Sequence, residues 1–308
     1  MSRKRWRFWA WPWELKQAGV LGINARNLNY IAHLNPRKLY ARVDDKARTK
    51  LICHEHEIAV PRTYALISRY GDIAHFGALM GNRQQFVIKP ACGAGGRGIM
   101  VVAANTREGF VLANGTVLSA ADIEHHLASI LSGLFSLSGH PDKAIIEARV
   151  MPHVAFSEIA VGGTADIRIV ICQHVPIAAM IRLPTAESRG RANLHQGAIG
   201  VGIDIATGRT TTAVHHNRQI TQHPDTLSPV SGLLIPHWQQ VLHIAGRLSH
   251  ALQLGYVGVD IVLDANYGPM VLEANARPGL NIQIANNQGL LKANSHALAV
   301  PELKILPV

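Results

Sequence analysis

The spacing of hydrophobic positions changes several times along this chain, and each change marks an element. Asp44-Asp45 followed by Ala47, Leu51 and Ile52 predicts a helix starting near residue 45 and closed before Pro61. The runs Phe86–Lys89 and Ile99–Ala103 read as strands on either side of a glycine-rich loop. Ser119-Ala-Ala-Asp122 has the form of a capping box and opens the stripe Ile123, Leu127, Ile130, Leu131 and Leu134. Short strands then dominate, over 144–150, 158–162, 166–172, 177–183 and 198–205. A helix from about Pro236 to Leu254 and a hairpin from Tyr256 to Ala274 follow. Strands outnumber helices without alternating regularly with them, which predicts an α+β fold rather than a doubly wound sheet. Residues 1–45 break this pattern, with aromatic and basic residues first and then Leu15–His33, which reads as helical.

Composition sharpens that contrast. The 308 residues are 48% hydrophobic and 16% charged, which excludes disorder for the body. Of the net charge of +10, residues 1–50 carry +9, from 12 Lys/Arg against 3 Asp/Glu. Trp6, Trp9, Trp11 and Trp13 lie in the same segment. No apolar run approaches the roughly 20 residues that span a bilayer. The basic start has the look of a signal peptide, but Phe8–Trp13 is short, is interrupted by Pro12 and lacks a small-residue cleavage site. Cys53, Cys92 and Cys172 are scattered without metal-ligand spacing. A cytoplasmic protein with reduced thiols is the expectation, peripheral at the membrane if the basic segment docks there.

Two segments carry candidate chemistry. Lys89-Pro-Ala-Cys-Gly-Ala-Gly-Gly-Arg-Gly98 joins two strands, and Gly93, Gly95, Gly96 and Gly98 would let backbone N–H groups approach a phosphate, with Lys89 as a point charge. A Walker loop is excluded because the chain has no Gly-Lys pair, and a dinucleotide fingerprint would open a helix. A flexible hairpin loop is the bland alternative. In the hairpin, a four-residue turn at Ala265–Gly268 sets Asp264 against Pro269 and therefore Asp260 against Glu273, with Asn275 on the same face. Opposed carboxylates destabilise a sheet unless a hard cation such as Mg²⁺ lies between them. A shift of register would send one acid to solvent instead.

Lys46, the Lys89 strand with its flap, Asp166-Ile-Arg168 and Gly258-Val-Asp260…Glu273-Ala-Asn275-Ala-Arg-Pro-Gly279 occur in the order found in the ATP-grasp superfamily. Arg191-Ala-Asn-Leu-His-Gln-Gly197 resembles the branch of ribosomal-protein α-L-glutamate ligases, and the match covers about residues 44–292. The resemblance implies two α+β subdomains gripping ATP: a subdomain over 46–143 with the flap and one over 144–308 with the metal hairpin, after a short appendage over 1–45. It implies ADP-forming ligation of a carboxylate to an amine through an acyl phosphate, using ATP and Mg²⁺, with Mn²⁺ as a substitute. Lys46, Lys89 and the flap glycines would meet the phosphates, and Glu147 and Val150 would border the adenine and ribose. Asp260, Glu273 and Asn275 would hold the metal, and Arg168 and Arg182 would stabilise the transferring phosphoryl group. Asn193 lines the substrate side in this resemblance.

Arg189, Arg191 and Arg277 are further candidates for an anionic substrate, an amino acid or peptide, although Arg277 could equally make a surface ion pair. Cys92 reads as a small filler of the flap, and Cys53-His54-Glu55-His56 as a solvated helix face, since its histidines lack the i, i+4 spacing of a helical zinc site. The rivals are a small-molecule kinase on the same ATP site and a basic nucleic-acid or membrane-surface binding protein. The near-neutral body argues against the latter, and no specific nucleic acid is expected. The basic Trp-rich segment is expected to dock on a protein partner, a membrane surface or a second copy.

Overall fold

Asp45 decides where the first long helix begins. Its carboxylate accepts from the N–H groups of Ala47 (2.8 Å) and Arg48 (3.3 Å), capping α1 (Lys46–Glu55). The computed structural model describes residues 10–136 and 139–299, so Arg3, Lys4, Arg5, Arg7, Trp6 and Trp9 of the basic segment lie outside the described residues. Among the described residues, no helix is long and apolar enough to cross a membrane.

Two antiparallel sheets follow. The first contains β1 (Thr63–Ile67), β2 (Phe86–Pro90), β3 (Met100–Thr106), β4 (Gly109–Leu112), β5 (Val117–Leu118) and β6 (Ala144–Glu147), in the order β1-β6-β2-β3-β4-β5. The capping box works as expected: Ser119 Oγ accepts from the Asp122 N–H, opening α2 (Ala120–Leu131). Ile123, Leu127, Ile130 and Leu131 of α2 are buried with Phe76, Phe86 and Ile88, whereas Leu134 lies beyond the helix and is exposed.

The second sheet contains β7 (Asp166–Cys172), β8 (Val175–Leu183), β9 (Ile199–Ile203), β10 (Thr210–His215), β11 (Arg218–Ile220), β12 (Tyr256–Asp264) and β13 (Gly268–Asn275). Its order is β11-β10-β9-β8-β7-β12-β13. Ile167, Ile169, Val257, Val259 and Ile261 pack with α3 (Trp238–Leu252) through Val241, Ala245 and Leu248. Val170, Cys172, Met180 and Tyr256 point to the other face, against α4 (Ile282–Ala285) and α5 (Leu290–Ala299). The α+β class is therefore correct.

Three expectations need correction. The stretch 158–162 is not a strand: Ile159 is buried, so its apolar pattern records a loop packed on the core. The boundary at residue 143/144 cuts through the first sheet, because β6 lies between β1 and β2. The chain crosses to the second sheet only after Glu147, and α1 packs with the second sheet's core through Cys53.

Nor are residues 10–45 a separate appendage. Leu21, in the link between the helical stretches 12–17 and 23–34, and Ile31, inside the second, are buried on the second sheet, so Leu15–His33 is not one helix. Asn35, 2% exposed, donates through Nδ2 to the carbonyls of Tyr256 (2.7 Å) and Ala276 (3.1 Å) and accepts from the Tyr256 N–H (2.9 Å). Only the start is outlying: Trp11 and Trp13 stack at 4.8 Å and remain exposed. Replacing Asn35 by Ala leaves buried backbone groups unpartnered, and urea denaturation should show a loss of roughly 2–3 kcal/mol. An unchanged midpoint would mean the segment contributes nothing to the fold.

Candidate active site

The hairpin reaches its expected pairing by an unexpected route. Asp264 opposes Gly268, not Pro269, so the turn is one residue shorter than the sequence suggested. A bulge at Leu272 then shifts the register, and Asp260 opposes Glu273, with Gly258 opposite Asn275. On its other side, Asp260 opposes Arg168 of β7, and Asp166 opposes Arg182 of β8. Directly paired residues share a face, so one side of the second sheet carries a row of acids and guanidiniums.

That row is tightly bonded. Arg168 donates to Asp260 through Nε (2.7 Å to Oδ1) and Nη2 (2.6 Å to Oδ2), and Arg182 Nη2 donates to the same Oδ2 (2.7 Å). Arg182 also forks onto Asp166. Burial alone would raise the Asp260 carboxyl, but the charges of Arg168 and Arg182 and the hydrogen bonds from Arg168 hold it well below the carboxylate range. Asp166 shifts the other way: burial raises it and the Asp260 charge adds to that, against Arg182.

A second buried cluster lies on the first sheet. Glu147, 3% exposed, binds Lys89 Nζ through Oε1 (2.6 Å) and Lys50 Nζ through Oε2 (2.7 Å). Lys50 also donates to the Pro61 carbonyl and to Thr63 Oγ1 (3.1 Å). Burial lowers the Lys50 pKa, Glu147 opposes that and Lys89 adds to it. Glu147, expected beside the adenine, is thus the counter-ion of two lysines, while Val150 sits half-buried in the link between the sheets. Lys50 is the residue that sequence reading missed; its i, i+4 relation to Lys46 on α1 was the available signal.

Lys46 links the flap to the acid row. Lys46 Nζ donates to the Gly93 carbonyl (2.5 Å) and lies 3.5 Å from Glu273 Oε2. Gly98 is fixed by packing, since a Cβ there would stand 2.6 Å from Phe135 Cγ at φ +73°. Gly95 and Gly96 instead meet the loop after β8: Gln196 Nε2 donates to the Gly95 carbonyl (3.2 Å), and Asn193 and Arg191 lie alongside. Arg191 Nη1 donates to Gln196 Oε1 (3.3 Å), and Arg189 is exposed at φ +52°. Arg277 turns outward, 3.4 Å from Asp44 and stacked over Tyr40, so it is the surface ion pair.

A hard cation fits the acid pair. A carboxylate offers roughly four lone pairs; Arg168 and Arg182 take three on Asp260, which leaves one on Oδ1. Glu273, with 38% of its side chain exposed, stands directly opposite Asp260 in the hairpin. Asn275 Oδ1 accepts from the Arg277 N–H (2.8 Å) and retains a second lone pair. Glu273, Asn275 and Asp260 Oδ1 are therefore the oxygens that would hold Mg²⁺. Around them, five cations (Lys46, Lys50, Lys89, Arg168, Arg182) face four carboxylates (Glu147, Asp166, Asp260, Glu273), a surplus that favours an anion.

Comparison with known proteins adds a family. The family described as sugar-transfer associated ATP-grasp matches residues 25–297. No curated protein matches the sequence. Among solved structures, the biotin carboxylase domain of 2-oxoglutarate carboxylase from Hydrogenobacter thermophilus aligns at TM-score 0.50 and 12% identity, over 85% of this chain and 46% of that one. The D-cycloserine synthetase DcsG aligns at TM-score 0.49 and 17% identity, over 93% of this chain and 81% of that one. The ATP-grasp ligase PsnB with its minimal precursor aligns at 0.45 and 16%, over 86% of this chain, which spans only 62% of PsnB. At such identities the likeness is one of fold.

The reading of Cys92 as a filler of the flap is testable through thiol reactivity. Burial pushes the Cys53 and Cys92 thiols up to about 12 and Cys172 up to about 11, with Asp142 and Asp45 adding to the effect at Cys92. A raised thiol pKa lowers the thiolate fraction, so at about pH 8 the native thiols should react with a disulfide reagent far more slowly than in denaturant. A native Cys92 reacting as fast as the unfolded chain would contradict its role as a filler.

Proposed function

The chain belongs to the sugar-transfer associated ATP-grasp family, and from that membership and the cleft we propose an ATP- and Mg²⁺-dependent ligase that joins a carboxylate to an amine. The observation that carries the reading is the Glu273–Asp260–Arg168 row with Arg182, met at Glu273 by Lys46, which also holds the flap at Gly93. Phosphoryl transfer to a carboxylate oxygen needs positioning and charge stabilisation more than covalent help from the protein.

In this reading the flap backbone and Lys46 hold the triphosphate, and Lys89 holds it from the first sheet. Bound Mg²⁺, or Mn²⁺ in its place, supplies charge neutralisation between the phosphates. The substrate carboxylate displaces ADP at the terminal phosphorus and becomes an acyl phosphate. The amine then displaces inorganic phosphate at the acyl carbon and loses a proton, giving the amide. Arg168 and Arg182, locked by Asp260 and Asp166, present guanidinium N–H groups at fixed positions to the charge that develops. A rigid donor does not need to reorganise as the charge moves, which supports assigning them this role.

Substrate identity is the finer part of the proposal. Arg189 and Arg191 on an exposed loop beside the flap suit an anionic substrate, and an amino acid such as glutamate meets that description. The family's association with sugar transfer adds carbohydrate-bearing amines to the candidates. ADP release should depend on both a carboxylate and an amine from such a panel. Release with no amine requirement and a stable phosphorylated product would favour a kinase. By calorimetry, Glu273→Ala should weaken Mg–ATP binding by at least about tenfold, the effect of roughly 1.4 kcal/mol, while circular dichroism is unchanged. Equal binding would overturn the assignment of the metal oxygens.

A further inference from the structure

Away from the acid row, Glu187, His215 and His216 converge where the loop 184–198 meets the end of β10. Glu187 Oε2 lies 2.9 Å from His216 Nε2 and 3.4 Å from His215 Nε2. One ligand atom from each residue falls within 4.8 Å of the other two. Successive strand residues point to opposite faces, but His215 ends β10 and His216 takes φ +47°, which brings both rings to one side with centroids 4.2 Å apart. Gly197 provides the room, because a Cβ there would stand 2.7 Å from Glu187 Cδ.

We propose that this triad is a second metal site, taking a borderline divalent cation of the Zn²⁺ class rather than Mg²⁺. Bonds of about 2.0–2.2 Å to zinc place tetrahedral ligand atoms roughly 3.3 Å apart, close to the spacing of Glu187 Oε2 from the two imidazoles. Imidazole nitrogen selects zinc, cobalt, nickel or copper, whereas Mg²⁺ prefers a shell of oxygens. His215 Nε2 also lies 3.0 Å from the Gly197 carbonyl, so metal binding exchanges that hydrogen bond for coordination. Three protein ligands leave a fourth position for water or an incoming group.

The consequence is mechanical. Glu187 and Gln196 belong to one loop, and Gln196 reaches the flap at Gly95. A cation on the triad pins that loop to the turn between β10 and β11, and thereby restrains the surface that meets the flap. The proposal stands on the triad's geometry and is independent of the ligase reading.

Tag-free full-length protein, stripped with chelator, tests it by Zn²⁺ titration against a chromophoric competitor and by the visible spectrum of Co²⁺. One Zn²⁺ per chain is expected, undisplaced by excess Mg²⁺, together with a tetrahedral cobalt spectrum. Glu187→Ala and His216→Ala should each weaken Zn²⁺ by at least about 100-fold, beyond the 10–100-fold effect of an outer-shell partner. Both side chains are more than half exposed, at 56% and 54%, so the fold should survive these changes. A double variant at His54 and His56 should bind Zn²⁺ like the parent. On Zn²⁺ loading, hydrogen exchange should slow in residues 185–198. Absence of stoichiometric binding, or binding that survives Glu187→Ala and disappears with His54 and His56, would overturn the site.

Discussion

One carboxylate shared by two guanidiniums organises this molecule. Asp260 is 2% exposed and would be strongly destabilising as an isolated charge. Arg168 and Arg182 satisfy it, and Asp166 in turn satisfies Arg182. Those bonds require β8, β7 and β12 to align in one register, because Arg182 sits on β8, Asp166 and Arg168 on β7 and Asp260 on β12. Breaking such a network by removing one member is costly, about 3–5 kcal/mol in comparable buried pairs. Pairing of β13 with β12 then sets the half-exposed Glu273 opposite Asp260. Structural necessity and the proposed metal oxygens therefore share Asp260.

The first sheet repeats the device with the signs exchanged. Glu147 is the buried anion and Lys50 and Lys89 its cations, so both ammonium groups are held in place by one carboxylate. Between the two clusters, Lys46 spans from the flap to Glu273. The flap reaches across to the loop after β8 through Gly95 and Gln196. The flap is thus tied to the loop that carries Arg191 and Asn193, the same loop that supplies Glu187 to the proposed second cation.

Local patterns in the sequence were reliable where one element determines its own outcome. The Ser119 capping box, the α2 stripe and the start of α1 at Asp45 all depend on neighbours within a few residues. The hairpin shows the limit: the Asp260–Glu273 pairing was legible, but only because a shorter turn and the bulge at Leu272 offset each other. A bulge leaves no distinctive residue behind, so no reading of that stretch could separate the two effects. Contacts across long separations were illegible for a different reason. Nothing near Glu147 announces that Lys50 and Lys89 share it, nor does Asn35 announce Tyr256 as its partner. The basic charge of the first fifty residues obscured that part of the same segment, Leu21 and Ile31, is core.

The central claim is that the acid row and the two lysines receive the metal and phosphates of a nucleotide. A crystal structure with Mg²⁺ and a non-hydrolysable ATP analogue tests it most directly. The metal should bridge phosphate oxygens to Glu273, Asn275 and Oδ1 of Asp260, with Lys46 and Lys89 on the phosphates and Arg168 still on Asp260. A nucleotide bound elsewhere, or a metal that does not touch Glu273, would contradict the account.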